Sequence, residues 1–403
     1  MSNIKIGLFG FGVVGQGVYE VIRKSKNAHA EIAKICVHDL SKPRSVEVDP
    51  SLMTDKAEDI LTDPEINLIV EVINNADDAF SIVKTALEKG VPVVSGSKAM
   101  LAKHLPELIE LQKKHNVALL YDASSCGSIP VIRNLEEYYD NDLLLEVKGI
   151  LNGSSNYILS RVFDHKEPYE SALRKAQELG FAETDPSFDI EGYDSLFKLV
   201  IITMHALGTY VAPEEIFTYG ISTIHDSDIQ YAREKGVKIK LVAQVVKVSD
   251  EHFTMFVMPE FVYPSRYIYS VDDEYNGVVI RGECYDRQFM FGKGAGSLPT
   301  ASSILSDVMA RLHGYRYEYK KQNYLQKPDY TTDITLKIYV RYSETNIQHV
   351  LDFESIHEQY ISAESNYVIG EIKLSELLAK REKLRAKDLF IANIPVFFLE
   401  QDN

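Results

Sequence analysis

The segment Gly10-Phe11-Gly12-Val13-Val14-Gly15 constrains this chain more than any other feature. It matches G-x-G-x-x-G, and its neighbours give the pattern a mechanism. Residues 4–9 (IKIGLF) read as a buried strand and residues 13–24 as a helix. In a strand–turn–helix unit of this kind Gly10 permits the tight turn. Gly12 lets the backbone approach a pyrophosphate, and Gly15 lets the helix pack close to the strand. Free N–H groups and partial positive charge at the helix start then hold phosphate oxygens. The competing reading is a glycine turn that holds no ligand.

The pattern continues. Residues 31–37, 68–73, 91–95 and 117–121 read as strands, with helical stretches such as 78–89 and 105–115 between them. Strands alternating with helices predict βαβ units and a parallel, Rossmann-like sheet over residues 1–130. The middle of the chain reads differently. Helical periodicity at 155–163, 171–179 and 194–207 precedes strands around 239–247, 253–259, 277–282 and 288–291. That predicts an α+β domain over 131–300, with an antiparallel sheet backed by helices. A further helix at 301–313, extended to 318, is expected to complete the first domain. The polar segment 320–330 (KKQNYLQKPDY) reads as a linker. From residue 325 onward strands at 334–342, 367–373 and 391–399 alternate with helices at 350–359 and 375–380, predicting a small βα domain.

Composition narrows the partners. With 43 basic and 59 acidic residues the formal charge is −16, which disfavours nucleic acid and anionic membranes. No apolar stretch reaches the roughly 20 residues of a membrane span. Three scattered cysteines, Cys36, Cys126 and Cys284, fit a reducing compartment and offer no metal-ligand spacing. A cytoplasmic protein is expected.

Two polar clusters stand out beside the glycine loop. Glu183, Asp185, Asp189, Glu191 and Asp194 fall within twelve residues and Lys198 follows. Asp194 and Lys198 share one face of a helix that is otherwise nearly all apolar. A lysine buried there needs an acidic partner and can shuttle a proton; the bland alternative is a surface i,i+4 salt bridge. Asn152, Gly153 and Ser154 form a donor-rich turn between a strand and a helix. Ser95-Gly96-Ser97-Lys98 lies where a parallel strand ends, the edge at which open α/β sheets bind ligands. Lys98 is therefore either a ligand contact or a solvated lysine. Asp39 after the second strand favours a ribose hydroxyl and NAD; Lys42 and Arg44 favour a 2′-phosphate and NADP. The choice stays open.

Together, GFGVVG, GSKAMLAKH, GILNGSSNYIL, AQELGFAETDPSFDIEGYDSLFKL and GKGAGSLPTAS, in this order over residues 4–312, resemble the homoserine dehydrogenase family. The resemblance implies NAD- or NADP-dependent interconversion of L-homoserine and L-aspartate 4-semialdehyde, on the way to threonine and methionine. It implies Lys198 as proton donor and acceptor, with Asp194 and Lys98 beside the reacting groups. Glu183, Asp189, Asn152, Gly153, Ser154 and Gly180 would hold the substrate. Gly10 to Gly15, His38, Lys98, Gly180 and Gly294 would meet the cofactor. It also implies a dimerising catalytic domain, a homodimer or homotetramer, and a monovalent cation such as Na+ at Asp122, Ser125, Gly127 and Ile129.

This chain departs from the family in places. Asp122 is shorter than the usual glutamate. His38 stands where an arginine is common, which weakens the case for NADP. The tail resembles an ACT-type regulatory domain in its order of elements but lacks the D-x-P-G-x-L turn; Ser343-Glu344-Thr345-Asn346 stands there. A dehydrogenase of a related amino-acid semialdehyde, or an inactive nucleotide-binding regulator, are the alternatives.

Overall fold

A computed structural model describes residues 4–26, 29–182, 184–343, 347–362, 365–385 and 388–395. The chain divides into two compact units. The first comprises Met1–Asn141, Val200–Tyr210 and Gly292–Tyr324; the second comprises Asp142–Leu199, Val211–Phe291 and Leu325–Asn403.

The first unit is built on a six-stranded parallel sheet. Its order is Met53–Thr54, Ala30–Cys36, Ile4–Phe9, Leu68–Glu71, Val93–Ser95 and Leu119–Leu120. Strand order reverses between Ile4–Phe9 and Leu68–Glu71, the switch point of a doubly wound fold. Both faces are covered, so the strands are continuous apolar runs. Ile6, Leu8, Val70, Val93 and Val94 are all buried. Helix Ser297–Leu312 joins this unit late in the chain and packs on Val13–Lys24. The approach is close: a Cβ on Gly17 would meet the Ser297 hydroxyl at 2.5 Å, and that hydroxyl donates to the Val13 carbonyl.

The second unit carries an eleven-stranded mixed sheet. Along its main path the order is Asp286–Lys293, Tyr275–Gly282, Leu144–Ile150, Lys238–Lys247, His252–Val262, Leu389–Asn393, Thr335–Tyr342, Asn366–Lys373 and Ser355–Ile361. Pairing is antiparallel except at His252–Val262, which receives Leu389–Asn393, Phe217–Thr218 and Asp329–Tyr330 in parallel. Helices Gly153–Asp164, Tyr169–Glu178, Asp226–Glu234 and Leu374–Arg385 accompany the sheet.

The tail differs from the sequence reading. Residues 350–359 were expected as a helix; the structure has a single turn at Ile347–His349 and a strand at Ser355–Ile361. The physical reason lies in pairing. Ile356, Tyr360 and Ile361 are β-branched or aromatic, and Asn366–Lys373 follows in antiparallel register, so a hairpin forms. Lying at the sheet edge, the strand leaves these side chains 38%, 49% and 67% exposed, which hides any inward-facing alternation. The tail therefore runs strand–strand–strand–helix–strand, not the alternation on which the ACT resemblance rests. Nor is it set apart: Asn393 pairs with Glu260, and the tail strands extend the sheet of the second unit. The final strand ends at Asn393, and residues 396–399, read as its continuation, lie outside the described residues, as do 344–346. The linker segment divides at Tyr324 and Leu325. Before that point Tyr317, Tyr319 and Lys321 are buried in the first unit, so that part of the chain is anchored.

No helix among the described residues is long and apolar enough to cross a membrane.

Candidate active site

In the first unit the three glycines of the loop have three different surroundings. Gly10 has φ +96°, and a Cβ there would meet the Val72 carbonyl at 2.9 Å. A Cβ on Gly15 would meet the Gly10 oxygen at 2.1 Å. A Cβ on Gly12 would meet nothing within 4 Å. The first and third positions serve the fold, while the second faces open space at the start of helix Val13–Lys24. Gly12 is that helix's N-cap and offers no side chain, so its first N–H groups lack a side-chain cap. Phe11 is buried below the loop, and Val13 is 70% exposed.

His38 is exposed beyond the second strand. Asp39 next to it accepts from the Ser41 hydroxyl (2.6 Å) and backbone N–H (2.8 Å), bonds that hold its carboxyl below the usual range. Arg44 donates to the carbonyls of Asp39, Leu40 and Lys42 and so closes this loop on itself.

Lys98 is the first residue of helix Lys98–His115 and is half-buried. The network beneath it escaped the sequence reading. Glu71, inside the apolar run LIVEV, is fully buried, and its two oxygens accept from the Ile73 N–H (2.7 Å) and the Ser95 hydroxyl (2.6 Å). Burial, partly offset by these bonds, pushes the carboxyl up to about 7. The Ser95 oxygen in turn accepts from the Ser97 N–H. Glu71 thus ties together the two loops that follow the third and fourth long strands. A lone acid in a parallel strand was the signal that could have found it.

Gly294 lies against Gly127: a Cβ on Gly127, at φ +55°, would meet the Gly294 oxygen at 2.5 Å. One oxygen of Asp122 accepts from the Ile132 and Arg133 N–H groups that open helix Val131–Glu137. Asp307 accepts from the Asp122 N–H and pairs with Arg133 at 2.9 Å. Burial and the neighbouring Asp307 charge raise the Asp122 carboxyl. The Ser125 hydroxyl is buried with no hydrogen-bond partner among the described residues, and Ile129 is a buried apolar residue that closes a tight turn to Cys126. Among the described residues no three His, Cys, Asp or Glu side chains are grouped to hold a metal. The chemistry below does not use a metal cation.

The second unit brings the other predicted residues together. Asn152 caps helix Gly153–Asp164, its oxygen accepting from the Ser155 N–H at 2.8 Å. Its amide nitrogen donates to Asp189 (2.7 Å) and Asp194 (2.9 Å), clamping two carboxylates side by side. Lys198 reaches the same Asp194 oxygen at 2.7 Å and the Leu151 carbonyl at 2.6 Å. Lys198 is 5% exposed and Asp194 1%. The surface salt bridge weighed from spacing is thus a buried pair. Removing either partner would strand a charge in a medium of low polarity.

Gly153 must lack a side chain because its Cβ would sit 2.6 Å from the Glu274 carbonyl. The Ser154 hydroxyl donates to the Phe181 carbonyl, one residue past Gly180, whose φ of +75° ends helix Tyr169–Glu178. Glu183 lies outside the described residues. A second residue that sequence reasoning missed is Asn276. It is fully buried and donates to the Leu151 carbonyl at 2.8 Å. Nothing in a single asparagine at a strand start marks it.

The arrangement can do two things. The first unit offers open helix N–H groups and a close backbone approach to a phosphate. The second presents an ammonium and two clamped carboxylates, which suit proton transfer and recognition of an amine.

Both regions resemble known proteins. The homoserine dehydrogenase family profile matches residues 130–309, and that of the NAD-binding domain of homoserine dehydrogenase matches residues 10–122. Homoserine dehydrogenase of Bacillus subtilis is 33% identical over 323 residues, covering 78% of this chain and 74% of its own length. That of Corynebacterium glutamicum is 31% identical, covering 100% of this chain and 91% of its own. The crystal structure of homoserine dehydrogenase from Thiobacillus denitrificans superposes with a TM-score of 0.82 at 29% identity, covering 97% of this chain and 98% of its own. A hyperthermophilic archaeal homoserine dehydrogenase mutant in complex with NADPH gives 0.65 at 25% identity, covering 78% and 99%.

Proposed function

The chain belongs to the homoserine dehydrogenase family, and from that premise we propose that it interconverts L-homoserine and L-aspartate 4-semialdehyde, with Lys198 moving the proton. It is an oxidoreductase that uses a nicotinamide nucleotide. The observation that carries the assignment to Lys198 is its burial between Asp194 and the Leu151 carbonyl, beside the Asn152 clamp.

The loop Gly10 to Gly15 binds the dinucleotide. Gly12 leaves room for the pyrophosphate, and the N–H groups opening helix Val13–Lys24 meet its oxygens. Lys98, with Gly294, stands at the nicotinamide end, and Glu71 holds the loops there. The nicotinamide supplies the hydride acceptor for oxidation and the donor for reduction. Homoserine is a zwitterion with a primary hydroxyl. Asp189, with Glu183, takes its ammonium group; Asn152, Gly153 and Ser154 border its carboxylate. As hydride leaves the hydroxyl-bearing carbon, the unprotonated amine of Lys198 accepts the hydroxyl proton, and the resulting ammonium returns it in reduction. Asp194 holds the lysine in place. Positioned proton transfer of this kind is typically worth ~10²–10⁴ in rate.

The test is direct. Purified protein given L-homoserine and NAD or NADP at alkaline pH should produce the near-ultraviolet absorbance of reduced nicotinamide. No substrate-dependent signal with either nucleotide rejects the assignment. Parallel kinetics with the two nucleotides reveals the preference that Asp39 and Arg44 leave open. A homodimer or homotetramer is part of the same reading, and a mass measurement in solution checks it.

A further inference from the structure

We propose that Asn276 is a positioning residue for proton transfer: its amide shares the Leu151 carbonyl with the Lys198 ammonium and limits how firmly that carbonyl holds the lysine. The inference rests on the reading of Lys198 as the proton carrier and adds the group that keeps it movable.

Three observations carry it. The Leu151 oxygen accepts from two buried donors, Lys198 at 2.6 Å and Asn276 at 2.8 Å. Asn276 is not needed to hold its own backbone. The preceding loop is pinned by Asn156, which donates to the carbonyls of Val271, Asp273 and Tyr275, and by Lys240, which reaches Val271 and Asp272. Strand pairing continues at once, Gly277 opposite Ile150. Third, the Asn276 oxygen is buried with no hydrogen-bond partner among the described residues. A leucine of similar size would avoid that penalty. The opposite amide orientation would set its oxygen against that of Leu151. The side chain is therefore kept for its donor, aimed at the atom against which the lysine rests.

The consequence is chemical. A proton-carrying lysine must be able to leave its resting partners and meet the substrate hydroxyl. With Lys198 as sole donor, the Leu151 carbonyl would be left unsatisfied in a buried site whenever the lysine turned away. The second donor removes that penalty and also weakens the carbonyl as an acceptor for the ammonium. Among the described residues Lys198 pairs with Asp194 on its own helix, and Asn152 links Asp194 to Asp189 on the short helix Ser187–Ile190. On the loop leading to Asn276, Asp272 is paired with Lys238 and Lys240, Asp273 is exposed and Glu274 is half-buried. None of these takes over the Asn276 donor.

Asn276→Leu removes the donor at nearly constant volume. The ammonium form of Lys198 then gains its carbonyl partner undivided, so the acid limb of kcat/KM for homoserine oxidation moves to higher pH. One net hydrogen bond corresponds to about half to one pH unit. Nucleotide affinity should stay as in the parent protein. Asn276→Ala is read in the same way, so that a folding failure of one variant leaves the other. An unmoved limb in folded variants overturns the inference, whatever happens to kcat, because a merely structural role would lower activity without moving the limb. Lys198→Met separates the premises. Retained turnover there rejects the lysine as proton carrier. Lost turnover with an unmoved limb in Asn276→Leu rejects only the role of Asn276.

Discussion

The two units differ in the company that several of their buried acids keep. In the first, Glu71 is fully buried and is held by an N–H and a hydroxyl. Asp122 accepts from helix N–H groups, and Asp307 must share Arg133 with its surroundings. All three carboxyls are pushed upward by burial, toward their neutral forms. In the second unit Asp194 pairs with Lys198, Glu260 with Lys148 and Asp228 with Arg341, although burial still raises the Asp228 carboxyl. At half-buried Asp272, burial works against the carboxylate, yet Lys240 and Lys238 hold it below its ordinary value. The contrast suits the roles proposed above. A site for an anionic dinucleotide gains from keeping added negative charge low. A site that moves a proton and recognises an ammonium needs ionised groups held in pairs.

The comparison can be broken most sharply at Lys198. Lys198→Met should lower kcat by roughly 10²–10⁴ while nucleotide binding persists; steady-state kinetics with calorimetric titration of the nucleotide checks both halves. Next comes Glu71. Its proton is bound more tightly in the folded protein, so its contribution is complete below the ordinary value of 4.5 and is lost as pH rises to about 7. Across that window the loss amounts to ~3 kcal/mol. Glu71→Gln, which cannot ionise, should therefore show a melting temperature that falls less than the parent's between those pH values; equal slopes would contradict a buried neutral carboxyl. Gly12→Ala tests the open space above the loop. The fold should melt as before, because the added carbon meets nothing, while nucleotide affinity falls by about tenfold or more, ~1.4 kcal/mol. The smallest effect is expected at Asn152. Asn152→Ala loses a helix cap worth about 1 kcal/mol and frees two carboxylates to repel each other. A lower melting temperature with a raised homoserine KM is the expected pair of results.

Legibility differed along the chain for physical reasons. The glycine loop could be read because each glycine answers a local demand on backbone angle or approach, and because buried parallel strands are continuous apolar runs. Lys198 and Asp194 could be paired from their spacing, since residues four apart on a helix are neighbours. Their burial could not, because it depends on what covers that helix face. Strand Ser355–Ile361 was misread because an edge strand has no buried face to impose alternation. Glu71 left a faint trace, an acid among valines and isoleucines. Asn276 left none: its partner Leu151 is 125 residues away in sequence.

The sequence by itself determined the dinucleotide loop, the parallel sheet and the family, because these rest on local backbone requirements and on motifs read in order. Only the tertiary structure decided which donors meet which acceptors: that Asn152 clamps Asp189 to Asp194, that Leu151 receives both Lys198 and Asn276, and that Glu71 is sealed between two loops. Hydrogen bonds between distant segments are set by how elements pack, and packing is a property of the whole chain.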